Sequence, residues 1–136
     1  MKDEINMLET NAIPQHLDKI QKDLRLQTSW ITPELIAYIV EKIVREVAPQ
    51  WVILFGSYAR NEATEQSDLD LFIVQDSEES NREVRRRIEK LLWGRHFGID
   101  LVVRKPGEIQ RNLDDGNPFY THHIFKDGRV LYERPI

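Results

Sequence analysis

Cysteine is absent from this chain of 136 residues. Its absence excludes disulfide bonds, thiolate metal ligands and cysteine nucleophiles, and it is compatible with a reducing compartment. Long apolar runs are also lacking, so no segment approaches the length that spans a membrane. The chain begins with Met-Lys-Asp-Glu-Ile-Asn, which has no apolar core of the signal-peptide type. We therefore expect a cytoplasmic protein without membrane association.

The chain has no excess of positive charge, since 19 basic and 23 acidic residues give a formal net charge of −4. The total charge therefore shows no bias toward polyanions, and we expect nucleic acid not to be the partner. Arginines cluster between Arg82 and Arg87 and could bind nucleic acid or an acidic partner. Glutamates are interleaved with them, however, and this pattern favours a solvated helix face with ion pairs.

Helical spacing of apolar residues divides the chain into elements. Residues 1–12 show no periodicity, and residues 14–26 are predicted to form a short amphipathic helix. We therefore interpret residues 1–30 as a polar and helical extension, and 31–136 as a single domain. Within that domain helices are predicted from Pro33 to before Pro49, from the Ser80–Glu83 capping box to Leu92, and over about 106–114.

Short apolar runs between these helices predict the strands 51–55, 69–74, 99–103 and 129–132. The resulting order of helices and strands indicates a small α/β (α+β) domain with one mixed sheet flanked by helices. The sequence leaves open the order in which the strands pair and their directions.

Two aspartates, Asp68 and Asp70, lie one residue apart at the start of the second apolar run. Side chains at i and i+2 of a strand point to one face, so these carboxylates project together. Hard carboxylate oxygens favour Mg²⁺ or Mn²⁺. Asp100 opens the next strand, and if the two strands are neighbours, three carboxylates suffice for a two-metal site. The alternatives are solvated strand-edge residues for the pair, and a strand start or an ion pair with arginine for Asp100.

Gly56 and Ser57 directly follow the first strand. Glycine permits a tight turn, and the missing side chain lets a phosphate approach the backbone amides. Ser57 adds a hydroxyl donor, and free amides would face the phosphate if a helix begins there. Arg60 could reach the same phosphate or point into solvent. A Gly-Ser pair alone is more often a simple turn. Its combination with Asp68 and Asp70, after ten intervening residues, is a specific signal of a phosphate site beside a metal site.

This combination, Gly56-Ser57, ten residues, Asp68-Leu69-Asp70 and a later Asp100, closely resembles the DNA polymerase β-like nucleotidyltransferase superfamily. The short length and the sequence Gly-Ser-Tyr-Ala-Arg are similar to those of the minimal nucleotidyltransferases, called MNT proteins. The core resemblance covers about residues 33–104. One departure is Asn61, where many members have glycine, and asparagine tolerates the left-handed backbone angles of such a turn.

The resemblance implies a nucleotidyltransferase-like fold in which Gly56 and Ser57 hold the triphosphate, Asp68 and Asp70 bind Mg²⁺, and Asp100 completes the site. It implies transfer of a nucleoside monophosphate, AMP from ATP, with release of pyrophosphate. MNT proteins are commonly paired with a helical HEPN protein as antitoxin to a HEPN toxin, so a hydroxyl on that partner is the implied acceptor. The alternatives are a small-molecule acceptor, or a nucleotide-binding or protein-binding antitoxin that neutralises its partner without catalysis. The oligomeric state stays open.

Overall fold

The protein is described here by a computed structural model that covers residues 23–136. Most of the helix predicted over 14–26 therefore lies outside the described residues. Its last part, Leu24–Leu26, forms a 3₁₀ turn rather than an α-helix. Leu26 is fully buried in the main core, and its carbonyl accepts a hydrogen bond from the backbone N–H of His96 at 3.1 Å. This turn thus packs directly into the main core.

A mixed sheet of four strands forms the centre of the molecule, in the order β3-β2-β1-β4. Strand β1 (Trp51–Phe55) runs antiparallel to β2 (Leu69–Val74) and to β4 (Arg129–Glu133). Strand β3 (Ile99–Arg104) runs parallel to β2. All four strands predicted from the apolar runs are present, with bounds within one residue of the prediction. The predicted class, a mixed sheet flanked by helices, is confirmed.

Thr32 and Ser80 each cap the start of a helix with a side-chain hydroxyl. Helix α1 (Pro33–Val47) starts at Thr32, whose hydroxyl accepts a hydrogen bond from Leu35 N–H at 3.1 Å. A single turn, α2 (Gly56–Ala59), follows β1 without a loop. Helix α3 (Asn81–Leu91) starts at Ser80, whose hydroxyl accepts from Glu83 N–H at 3.1 Å. These side chains satisfy amides that the first helical turn leaves without an acceptor.

Helix α4 (Pro106–Asp114) follows β3 almost immediately. A π-helical segment, Phe119–Ile124, then leads to β4. The sequence did not predict this segment, which fell into a tail of mixed pattern. None of the helices described between residues 23 and 136 is long and apolar enough to cross a membrane.

Two hydrophobic cores cover the two faces of the sheet. One core joins α1 and α3 to the sheet face that carries Leu69, Leu71 and Ile73, all of which are buried. The second core joins α4 and the π-helical segment to the opposite face, through Phe72 and Val74. Asp70 shares the face of Phe72 because strand side chains alternate.

Candidate active site

The Gly-Ser pair lies at the junction between β1 and α2. Gly56 has a φ of +75°, a conformation that favours glycine. A Cβ atom at Gly56 would lie only 2.0 Å from Oδ2 of Asp70. The register of the antiparallel strands, which pairs Phe55 with Asp70, explains this close approach. Glycine at position 56 thus permits the turn into α2 and leaves space for the carboxylate of Asp70.

The three aspartates meet on one face of the sheet. Asp70 in β2 is paired with Asp100 in β3, and the two strands are parallel. Asp68 lies two residues before Asp70, and the N–H of Leu69 donates to the carbonyl of Gly98 at 3.0 Å. This bond sets Asp68 opposite Gly98. The acidic face, which we define as positions 68, 70, 98 and 100, therefore carries three carboxylates and one glycine.

The negative charges on this face act on Asp70. Burial raises the pKa of Asp70, and the neighbouring Asp100 and Asp68 raise it further, to about 6, while Arg60 opposes them. Desolvation and like charges both disfavour the ionised carboxylate. Arg60 compensates this negative charge only in part, and a bound cation would compensate it further.

The donor chemistry of the acidic face suits a divalent cation of the Mg²⁺ or Mn²⁺ type. All three side chains offer hard carboxylate oxygens, and they come from neighbouring strands. Between residues 23 and 136, however, no three acidic or histidine side chains are already gathered in a metal-holding arrangement. Asp68 is turned toward Gly98, where its Oδ1 lies 2.0 Å from the position of a hypothetical Cβ. Side-chain movement of the carboxylates would be needed to complete a coordination shell.

Arg60 lies directly after α2, close enough to Asp70 to lower its pKa. Its Nε donates to Oε1 of Glu62 at 3.0 Å, and its side chain is 37% exposed. The guanidinium is therefore near the acidic face but held by a neighbouring carboxylate in this structure. The next residue, Asn61, has a φ of +59°, which is the left-handed conformation expected of it.

Two residues of this region were missed by the sequence analysis. Gly98 stands opposite Asp68, and only the pairing of β2 with β3 reveals its position. Arg129 in β4 donates a hydrogen bond from a terminal nitrogen to the carbonyl of Tyr58 at 3.0 Å. This bond links β4 to α2. No local pattern in the sequence signals either role.

An apolar groove lies away from the aspartates. This groove of about 880 Å³ runs between α1 and β4, with mostly apolar walls that include Ile36, Val40 and Val130. Tyr58 and Asn61 line one part of it, whereas Asp68, Asp70 and Asp100 do not. Burial raises the pKa of Tyr58. The single turn α2 thus separates the acidic face from this groove.

The chain belongs to the nucleotidyltransferase domain family, whose model matches residues 36–127. This match covers the acidic face, the Gly-Ser junction and the whole of β1, β2 and β3. The chain is therefore an enzyme of the nucleotidyltransferase class.

A relative from Methanocaldococcus jannaschii, named as a protein adenylyltransferase, is 35% identical over 81 residues. The aligned part covers 60% of this chain and 76% of the relative. Among solved structures, a nucleotidyltransferase from Sulfolobus solfataricus is 20% identical, with 90% of both chains covered and a TM-score of 0.49. A toxin–antitoxin structure with AMP-PNP is 18% identical, with 72% of this chain and 73% of that chain covered and a TM-score of 0.47.

Proposed function

We propose that this protein transfers AMP from ATP to a hydroxyl group on a partner protein, in a reaction that depends on Mg²⁺ or Mn²⁺. The observation that carries the proposal is the convergence of three carboxylates on one face, beside a Gly-Ser junction that follows β1. A relative that is named as a protein adenylyltransferase supports the choice of AMP and of a protein acceptor.

Each residue has a defined part in this reaction. Asp68 and Asp70 bind the divalent cation, and Asp100 completes the site and accepts the proton of the acceptor hydroxyl. Ser57 and the backbone at Gly56 hold the triphosphate, and Arg60 leaves Glu62 to contact a phosphate. When bound, the cation neutralises charge on the phosphates and on the leaving pyrophosphate.

The acceptor oxygen attacks the α-phosphorus of ATP as the bond from that phosphorus to the β-phosphate oxygen breaks. AMP is thereby joined to the acceptor, and pyrophosphate leaves with the bonding electrons. Catalysis of this kind is mainly positioning and charge neutralisation, so the protein needs no covalent intermediate.

We further propose that the acceptor is a HEPN-type toxin and that this chain acts as its antitoxin. The proposal extends the resemblance to MNT proteins, which rests on the sequence Gly56-Ser57-Tyr58-Ala59-Arg60. Modification of a toxin hydroxyl by AMP would add bulk and negative charge to the toxin. A purely binding antitoxin is the alternative, and it predicts neutralisation that survives loss of the carboxylates.

The decisive experiment is transfer of label from ATP with Mg²⁺ to a purified HEPN-type toxin. We expect label from α-labelled ATP to appear on the partner, and none from γ-labelled ATP, because only AMP is transferred. Asp70→Asn is expected to lower the rate about 10²-fold or more, since it removes a charge that positions the cation. Asp76→Asn is the matched control, because Asp76 is an exposed aspartate just beyond the other end of β2.

Three results would contradict the proposal. Label from γ-labelled ATP would indicate transfer of a phosphoryl group. Equal rates for Asp70→Asn and the unsubstituted chain would exclude the acidic face as the site. Neutralisation of the toxin by Asp70→Asn, with no label transferred by either protein, would establish antitoxin action by binding alone.

A further inference from the structure

Gly98 occupies the one position of the acidic face that has no carboxylate. It precedes β3 by one residue, and the bond from Leu69 N–H to its carbonyl sets it opposite Asp68. Side chains at positions 98 and 100 of one strand would share a face. A side chain at 98 would therefore project into the same space as the carboxylates of Asp68, Asp70 and Asp100.

The space above Gly98 is already filled by Asp68. A Cβ atom at position 98 would lie 2.0 Å from Oδ1 of Asp68 and 2.7 Å from its Cγ. Carbon and oxygen atoms cannot approach so closely, so either the methyl group or the carboxylate must move. The carboxylate is the end of a flexible, exposed side chain, and it would move at little cost to the fold.

The direction of that movement matters for the site. Gly98 and Asp100 lie on the same strand and the same face, so a methyl group at 98 would occupy the β3 side of Asp68. The carboxylate of Asp68 would then be pushed away from β3, and so away from Asp100. Because the carboxylates must move from their present arrangement to surround one cation, a methyl group at 98 would reduce the space in which Asp68 can do so.

We propose that Gly98 is a positioning residue whose missing side chain allows Asp68 to join Asp70 and Asp100 around the divalent cation. This inference rests on the proposed function, because it assigns Gly98 to the cation site of the transfer reaction. Gly98 acts through Asp68 and contacts neither nucleotide nor acceptor. Residues that orient metal ligands without binding the metal commonly change affinity about 10- to 100-fold when they are substituted.

Gly98→Ala tests the proposal, and Gly107→Ala is its matched control. Gly107 lies in the first turn of α4, where an added Cβ would meet only a nitrogen of Arg111 at the ordinary distance of 3.7 Å. Both variants are expected to melt within about 3 °C of the unsubstituted chain, a change smaller than that of a packing defect in a domain of this size. A normal melting temperature for Gly98→Ala separates a positioning role from a folding defect.

The readout is binding of Mn²⁺ in the presence of ATP, followed by the electron paramagnetic resonance signal of free Mn²⁺, without any acceptor protein. We expect Gly98→Ala to weaken Mn²⁺ binding about 10-fold or more, and Gly107→Ala to leave it unchanged. In a background of Asp68→Ala, the further change Gly98→Ala should have no additional effect, because the carboxylate that the methyl group displaces is gone.

The outcomes separate this inference from the proposed function. If the unsubstituted chain binds Mn²⁺ and Gly98→Ala binds it equally well, the positioning role is overturned and the proposed function stands. An effect of Gly98→Ala that persists in the Asp68→Ala background also overturns it. If the unsubstituted chain binds no Mn²⁺ with ATP present, the cation site itself fails and both proposals fall.

Discussion

Strand β2 carries a polar side chain near each end, Asp70 near its start and Gln75 directly after its last residue. Gln75 is only 1% exposed, yet every polar atom of its side chain is paired. Its Nε2 donates to Glu79 O at 3.1 Å and to Asn81 Oδ1 at 3.0 Å. Its Oε1 accepts from Ser77, from the backbone N–H at 2.9 Å and from the hydroxyl at 2.6 Å.

Asp70 has the opposite surroundings. Its partial burial, together with two neighbouring carboxylates, raises its pKa to about 6, and Arg60 only partly compensates. A buried polar group stabilises a fold when its partners are internal, and an unbalanced charge costs stability unless a ligand arrives. The comparison therefore identifies Gln75 as a structural residue, and it supports the proposal that Asp70 binds an external cation.

Substitution of Gln75, whose side-chain polar atoms are all hydrogen-bonded, should have the largest effect on stability. Gln75→Leu is expected to lower the free energy of unfolding by about 2–4 kcal/mol, because it leaves partly buried partners such as Asn81 Oδ1 without the hydrogen bond from Gln75. Urea denaturation measures the loss, and Glu78→Gln, an exposed substitution in the same turn, is the control. Transfer activity per folded molecule should persist, and its loss would link the two ends of β2.

Addition of the proposed ligands, Mg²⁺ and ATP, should have the next largest effect on stability through the site at Asp70. With Mg²⁺ and ATP at about 100 times the dissociation constant, the unsubstituted chain should gain about 2.7 kcal/mol in the free energy of unfolding. Thermal melts with and without ligand measure this gain. Gln75→Leu should keep it and Asp70→Asn should lose most of it. An equal gain in both variants would place the ligand elsewhere.

Removing the unbalanced charge should stabilise the protein when no cation is present. The folded-state pKa of Asp70, about 6, lies above its ordinary value of 3.8, so the folded state binds more protons between these values. Stability is then lost as the pH rises through this window. Asp70→Asn should gain about 1 kcal/mol at pH 7 in EDTA, after a discount for solvent screening, and nothing at pH 3. A loss of stability at pH 7 would contradict this account.

The smallest effect is expected at Glu108, whose Oε1 accepts from Asn81 Nδ2 at 2.7 Å and Lys105 N–H at 2.8 Å. Burial alone would raise its pKa, but these bonds and the nearby Arg104 and Arg111 hold the pKa below 4.5. Its stabilisation is therefore present above this value and is lost as the pH falls through the lowered pKa.

Glu108→Gln should cost about 0.5–1 kcal/mol at pH 7, because a neutral acceptor replaces a charged one. The cost should be smaller near pH 3 than at pH 7, because protonation of the glutamate increases as the pH falls through its lowered pKa. Urea denaturation at the two pH values measures the difference, and Gln110→Glu on the exposed face of α4 tests for a general effect of charge on that helix. A cost that does not depend on pH would assign the effect to packing.

Local patterns predicted much of this fold because they reflect local physics. The runs beginning at Trp51, Leu69 and Ile99 became strands since apolar residues cover both faces of the sheet. Thr32 and Ser80 became helix caps because their hydroxyls reach amides three residues ahead. The π-helical segment Phe119–Ile124 was not predicted, because its aromatic rings pack against Phe55 and Phe72, which are distant in the sequence.

By itself the sequence determined that Asp68 and Asp70 share a face, because strand periodicity is a property of neighbouring residues. It also determined that Gly56 ends a strand, since an apolar run stops there. Only the tertiary structure decided that β3 lies parallel beside β2, which brings Asp100 to Asp70 and Gly98 to Asp68. The register of strands separated by a helix is decided by how the two cores pack, and no local pattern encodes that packing.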